Sequence, residues 1–252
     1  MNKILVTGSN GFTGSAVVKS LIARGYDVTA MILPGSNEEN LKDIEVKRIY
    51  GNLLDRNFLL ESLKNIDAIH HVAAIFDFAA DPTRDPLKYA RDCDLFYRNN
   101  LEGTTSLMLA AISSKIKRIV YTSTMACIGT TPGKELSDET NEYNIWLPVN
   151  DYMRSKGFAE AIVWQFIHAG APVVIVNPTW TVGPGDINPT PVGEVILDAM
   201  RDKNPKITPA GINIVDVDDV GEGHVLAQEF GQIGERYILG GENIEYPDLI
   251  NK

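Results

Sequence analysis

The chain has 252 residues, 44% of them hydrophobic and 22% charged, with a formal net charge of −10. That length supports one large core, or one core with a smaller appendage. No basic stripe is present and no apolar run approaches a membrane span, which argues against nucleic acid and membrane as partners.

The first element is the apolar run Lys3 to Thr7, read as a buried strand. Gly8, Gly11 and Gly14 follow at once, and Ser15 to Arg24 places Val17, Val18, Leu21 and Ile22 at helical spacing before Gly25. Three glycines on a strand-to-helix turn allow a tight bend, a close backbone approach and tight helix–strand packing. The exposed N–H groups at the helix start favour a diphosphate, so this turn predicts a dinucleotide site. A purely structural turn would use the same glycines, and the spacing is GxxGxxG rather than GxGxxG.

Asp27 to Leu33 reads as the second strand, and its end is where a dinucleotide fold meets the adenosine ribose. A carboxylate there selects NAD, and an arginine accepts the 2′-phosphate of NADP. Neither is present: Leu33 is followed by Pro34, Gly35, Ser36 and Asn37. Ser36 and Asn37 suit either ribose, and the missing carboxylate tilts the expectation toward NADP. Glu45 to Tyr50 is a third strand, followed by Asn52, Leu53 and a short helix over 57–63. Asp67 to Val72 is a fourth strand ending in Ala73 and Ala74, small enough for a flat ligand to approach. His70 and His71, inside it, read as core histidines rather than metal ligands. The irregular stretch 75–84, with Phe76, Phe78 and Pro82, either lines a substrate pocket or covers the sheet edge.

A long helix is expected within 87–114, starting near Asp94, with Asn100 as an exposed polar position on it. Cys93 and Cys127 stand apart from each other and from any metal-ligand pattern. They read as reduced thiols of a cytoplasmic protein, a single long-range disulfide being the alternative. No signal peptide is expected before the first strand. Arg118 to Thr122 is the fifth strand, and the hydroxyls of Thr122, Ser123 and Thr124 crowd its end. Residues 130–149 read as loop, Asp151 to His168 as a strong helix, and Pro172 to Asn177 as the sixth strand. After Pro178 the expected elements are a helix over 192–201, a strand over 212–217, a helix over 219–230 and a strand over 236–239. The alternation predicts an α/β fold with a doubly wound parallel sheet. Residues 1–178, with 212–232 returning, would form the dinucleotide domain, and 179–211 with 233–252 part of a small substrate-binding lobe.

The chemical signal is Tyr152-Met153-Arg154-Ser155-Lys156. Residues four apart on a helix lie about 5–6 Å from each other on one face. An ammonium beside a phenol favours the phenolate, so Lys156 is expected to lower the pKa of Tyr152 from about 10. Tyr152 would then exchange a proton with a carbonyl or alcohol oxygen that Thr124 also holds. An ordinary surface Tyr/Lys pair has the same spacing. What sets this one apart is its position after the glycine turn and the hydroxyl-rich strand end.

The chain as a whole resembles the extended short-chain dehydrogenase/reductases, a Rossmann-fold group. The carrying residues are TGSNGFTG at 7–14, Asn100 in NNLEGT, YTSTMACIG at 121–129 and YMRSK at 152–156. NPTWTVGPGDINPTP at 177–191 and GERYILGGEN at 234–243 resemble the dihydroflavonol 4-reductase-like branch, which includes the hopanoid-associated sugar epimerases. The resemblance implies that Gly8, Asn10, Gly11, Phe12 and Gly14 meet the pyrophosphate. It implies that Leu33, Ser36, Asn52 and Leu53 lie toward the adenosine, and Ala73, Ala74, Thr122, Pro178 and Thr179 toward the rest of NADP or NAD. Thr124, Tyr152, Lys156 and Asn100 would form the catalytic group, with no metal. Relatives often carry Arg at the position of Leu33 and Asp at that of Asn52, and commonly His at that of Asp216. They usually extend past the position of Lys252, so the resemblance implies an incomplete lobe.

Three activities follow as expectations: an NAD(P)H-dependent reductase of a ketone or aldehyde, a nucleotide-sugar epimerase or dehydratase, and a non-catalytic dinucleotide sensor. The implied partners are a small carbonyl or alcohol substrate and a second copy of the chain, paired through helices near 94–114 and 151–169.

Overall fold

The computed structural model describes residues 3–76, 83–131, 133, 135–144, 150–201, 211–245 and 248. In chain order the strands are β1 (Lys3–Thr7), β2 (Asp27–Ile32), β3 (Lys47–Tyr50), β4 (Ala68–His71), β5 (Arg118–Thr122), β6 (Val173–Pro178), β7 (Trp180–Val182), β8 (Gly211–Asp216), β9 (Arg236–Leu239) and β10 (Glu242–Glu245). Seven of them form one sheet in the order β3-β2-β1-β4-β5-β6-β9, and each of its pairings is parallel. The order reverses between β1 and β4, which opens a crevice at the strands' carboxyl ends. The sheet is thus the doubly wound parallel one of a Rossmann fold.

The helices are α1 (Phe12–Ala23), α2 (Arg56–Ser62), α3 (Pro86–Phe96), α4 (Gly103–Ser113), α5 (Asp151–His168), α6 (Pro191–Arg201) and α7 (Val217–Phe230). Side chains alternate across a strand, so each sheet strand serves two cores. Leu5, Met31, Ile69, Tyr121 and Ile175 pack with Leu107, Met108, Ala159 and Val163 of α4 and α5 on one face. Ile4, Val6, Val28 and Ala30 pack with Val17, Val18 and Leu21 of α1 and Val225 of α7 on the other. Burying each large apolar side chain contributes about 1.5–3 kcal/mol, so the near-continuous apolar strands belong at the centre.

Several expectations change. The long helix begins at Pro86, not near Asp94: Asp85 caps it by accepting from the Lys88 N–H at 2.9 Å, and Pro86 takes the first turn. A π turn over Tyr97–Glu102 joins α3 to α4. Beyond Pro178, an unexpected strand β7 forms a small sheet with β8 and β10, in the order β10-β8-β7. Arg236 to Leu239, expected in the lobe, is the seventh strand of the large sheet beside β6. The strand within 212–217, expected to return to the dinucleotide domain, pairs in the small sheet. Backbone pairing between segments well separated along the chain decides both, and apolar pattern alone does not specify a partner. Phe78 and Pro82, and positions 145–149 of the expected loop, lie outside the described residues.

Candidate active site

The glycine turn links β1 to α1. The Gly11 N–H donates to the Gly8 carbonyl at 3.1 Å, and Gly8 has φ +64°, a left-handed conformation. A Cβ on Gly8 would sit 2.6 Å from the Ala73 backbone, and one on Gly14 would sit 2.0 Å from the Gly8 carbonyl oxygen. The turn is therefore packed to backbone contact against the end of β4. Gly11 is the N-cap of α1 and supplies no side-chain cap, and the first turn of that helix carries no acidic residue. These free N–H groups at a positive helix end suit a diphosphate.

The turn opens on a cavity of about 830 Å³ along the crevice. Gly8, Asn10, Gly11, Phe12, Gly14, Leu33, Ser36, Asn52, Leu53, Ala73, Ala74, Thr122, Thr124, Tyr152, Lys156, Pro178 and Thr179 all line it. Asn100 does not line it. Buried rather than exposed, Asn100 accepts from the Ile75 N–H at 2.8 Å, and its amide donates to the Ile75 carbonyl at 3.1 Å and to Ser155 Oγ at 3.0 Å. It ties the pocket wall after β4 to the helix carrying Tyr152 and Lys156. The π turn rotates it inward, which regular helical spacing does not reveal.

Tyr152 and Lys156 lie in the first turns of α5, whose N-cap Asn150 accepts from the Met153 N–H at 2.9 Å. Their electrostatics differ from the expectation. Lys156 Nζ donates to the Thr122 carbonyl at 2.8 Å and lies 4.9 Å above the Tyr121 ring. Burial lowers the Lys156 ammonium to about 8, opposed by Cys127 and Glu160. The Tyr152 phenol is raised well above its usual value, first by burial and then by Cys127, while the Thr124 hydroxyl opposes the rise. Desolvation is the largest cause, and the lowering expected from the Lys156 ammonium is not found. Phe76 packs over it, with ring centroids 4.6 Å apart.

Beneath the site, a directional hydrogen-bond chain joins the glycine turn to the π turn. The Ala73 N–H donates to Thr7 Oγ1 at 3.2 Å, and Thr7 Oγ1 lies 2.8 Å from His71 Nδ1. His71 Nε2 lies 2.9 Å from Thr104 Oγ1, which donates to the Asn100 carbonyl at 2.6 Å. That pattern assigns the proton of a neutral His71 to Nε2. Burial, then the Lys156 charge, lowers His71 to about 3. His70 is also buried, with Nδ1 3.4 Å from Nδ1 of His224. Both histidines of β4 are core residues, as expected. Among the described residues, no group of three His, Cys, Asp or Glu side chains is placed to hold a metal ion.

Cys93 and Cys127 are both free thiols. Glu160, also buried, pairs with Arg236 at 3.1 Å, accepts from Asn177 Nδ2 at 3.1 Å and holds the Ser123 hydroxyl. Arg236 in turn donates to the Glu139 carbonyl at 2.8 Å and the Asn141 carbonyl at 2.6 Å. This network fixes the strand end before Thr124, and no local motif announced it. Asn40, Met153, Trp180 and Asp186 also line the cavity without having been singled out in the sequence. Their contribution depends on how the β2–β3 connection and the lobe fold over the crevice.

A parallel sheet with a diphosphate-ready turn, facing a Thr/Tyr/Lys set across one crevice, defines a dinucleotide-dependent oxidoreductase class. The profile of the NAD dependent epimerase/dehydratase family matches residues 4–240. A Synechocystis sp. protein provisionally named dihydroflavonol 4-reductase is 34% identical over 249 residues, covering 97% of this chain and 69% of its own. The crystal structure of gox2253 superposes with a TM-score of 0.89 at 39% identity, covering 100% of this chain and 73% of its own. That of Thermus thermophilus UDP-glucose 4-epimerase, in complex with NAD, superposes with a TM-score of 0.80 at 26% identity, covering 99% and 81%. The chain belongs to the NAD-dependent epimerase/dehydratase family, an extended short-chain dehydrogenase/reductase group of NAD(P)-dependent reductases and epimerases. No described helix is long and apolar enough to cross a membrane.

Proposed function

We propose that the protein is an NAD(P)H-dependent reductase of an apolar ketone or aldehyde. The observation that carries this reading is that the Tyr152 phenol, the Thr124 hydroxyl and Lys156 line the same cavity as the glycine turn. When bound, the nicotinamide supplies the hydride. Tyr152 holds a proton ready for the substrate oxygen as negative charge grows there, and the Thr124 hydroxyl steadies that oxygen. Lys156 lies on the same cavity wall and is oriented by the Thr122 carbonyl, a placement that suits ribose hydroxyls. Asn100 acts through Ser155 and Ile75 as a positioning residue.

Phe76, Met125, Met153, Trp180, Ile187 and Val192 make the remaining wall largely apolar. That lining supports an apolar carbonyl compound over a sugar nucleotide. At the adenosine end Leu33, Ser36, Asn37 and Asn52 are neutral, and on that ground we favour NADP over NAD. Titration with NADPH and NADH, followed by a carbonyl panel with the better cofactor, tests the reading. Stoichiometric NAD(P)H consumption is the expected result. The likeness to the NAD-bound epimerase favours a second reading, nucleotide-sugar epimerisation. Turnover of a UDP-sugar with no added reductant would replace the first reading by the second.

We also propose a homodimer through α3, α4 and α5, on which Leu95, Leu109, Ile112 and Phe158 are exposed. Light scattering after size exclusion should give twice the chain mass at micromolar concentration, and a monomer alone rejects the dimer.

A further inference from the structure

Three segments distant in sequence meet beside the glycine turn. Asn40 Nδ2 donates to the Gly185 carbonyl at 3.0 Å and to the Asn10 carbonyl at 3.4 Å. Asn10 Nδ2 donates to the Asn37 carbonyl at 2.7 Å. Asn10, Asn37, Asn40 and Gly185 all line the cavity. The connection after β2 and the turn after β7 are thus joined across the crevice by one carboxamide, next to the N-cap of α1.

Both sides of this bridge are anchored. Asn40 belongs to the 3₁₀ turn Glu39–Leu41, and Leu41 is fully buried in the core under α1. On the other side Asp186 accepts from the Thr190 N–H at 3.0 Å and from the Thr190 hydroxyl at 2.9 Å, which folds residues 185–190 onto the start of α6. The bridge itself is only hydrogen-bonded. One such bond shifts an equilibrium by about tenfold at most, so it opens readily without either anchor unfolding.

We propose that Asn40, with Asn10 and the Gly185 carbonyl, is a latch that closes over the diphosphate of the bound dinucleotide and opens to let it enter and leave. This rests on the dinucleotide reading of the site. It follows from position: a diphosphate at the N-terminus of α1 lies beside Asn10, beneath a bridge running from one crevice wall to the other. The Gly185 turn continues into Ile187 and Val192 of the apolar wall, so substrate seated there holds the latch shut. Asn40 is a positioning residue for cofactor exchange and takes no part in the chemistry.

A gate differs from an ordinary contact in its kinetics. Removing a contact speeds departure alone, whereas removing a gate speeds both entry and departure. Stopped-flow nicotinamide fluorescence would measure NADPH association, and its displacement by excess NADP, for the wild-type chain, Asn40→Ala and Asn40→Ser. We expect both rate constants to rise about three- to tenfold, with Kd moving less than either. Asn40 is only partly buried, and matching unfolding temperatures would confirm that the variants fold. Unchanged rates in both variants overturn the latch and leave the dinucleotide reading standing. A rise in dissociation alone also overturns it, making Asn40 a simple contact. Failure of the wild-type chain to bind NADPH or NADH removes the dinucleotide reading and the latch together.

Discussion

The amide of Asn100 donates to Ser155 Oγ at 3.0 Å while its carbonyl oxygen accepts from the Ile75 N–H at 2.8 Å. One buried side chain therefore sets the distance between the helix bearing Tyr152 and the wall bearing Phe76. Asn100→Ala leaves the Ile75 N–H and carbonyl without these partners. Urea unfolding should show a loss of about 1–3 kcal/mol. Because Asn100 does not reach the cavity, cofactor affinity should stay nearly unchanged, while KM for the carbonyl substrate rises. A variant as stable as wild type would contradict the positioning role.

Tyr152→Phe removes the proton that the substrate oxygen needs and keeps the ring that packs on Phe76. Turnover should fall about 10²–10⁴-fold, with cofactor binding almost unaffected. NAD(P)H oxidation and fluorescence titration measure the two separately. Retained turnover would take Tyr152 out of the reaction.

Gly14→Ala drives a methyl group into the Gly8 carbonyl oxygen, 2.0 Å from its ideal position. Backbone lies on both sides, so the turn itself has to shift. Overpacking of this kind costs about 1–3 kcal/mol. Dinucleotide titration should show binding largely lost, accompanied by a lower unfolding temperature. Wild-type affinity in this variant would place the diphosphate elsewhere.

His71 and His224 are each lowered to about 3 by burial, and His70 is lowered well below its usual value by burial and by His224. The unfolded chain takes up these protons at about pH 6.5, whereas the folded chain does not. Stability from the neutral histidines is therefore full above about pH 6.5 and is lost as the pH falls from there toward 3. The slope is up to about 1.4 kcal/mol per pH unit for each histidine. Urea denaturation between pH 7 and pH 5 should show the midpoint dropping steadily. A flat profile across that range would mean that these side chains are protonated in the fold or already neutral in the unfolded chain.

Local residue order was enough to predict much of this protein. Gly8, Gly11 and Gly14 sit between a strand and a helix, and a turn's conformation depends on residues a few positions apart. The Tyr152–Lys156 spacing follows from helical periodicity in the same way, and α5 spans Asp151–His168 as expected. The apolar strands of the sheet were legible because burial on both faces leaves few polar positions in them. The packed fold decided what depends on partners far along the chain. Pairing with β6 placed Arg236–Leu239 in the large sheet. The π turn carried Asn100 inward, and Asn40 found Gly185 across 145 residues. The acidity of Tyr152 belongs to this second group. Its sequence neighbour Lys156 argued for a lower value, but the surrounding atoms exclude water from the phenol and turn the ammonium toward Thr122. Desolvation is set by everything packed around a group, and only the folded chain determines what that is.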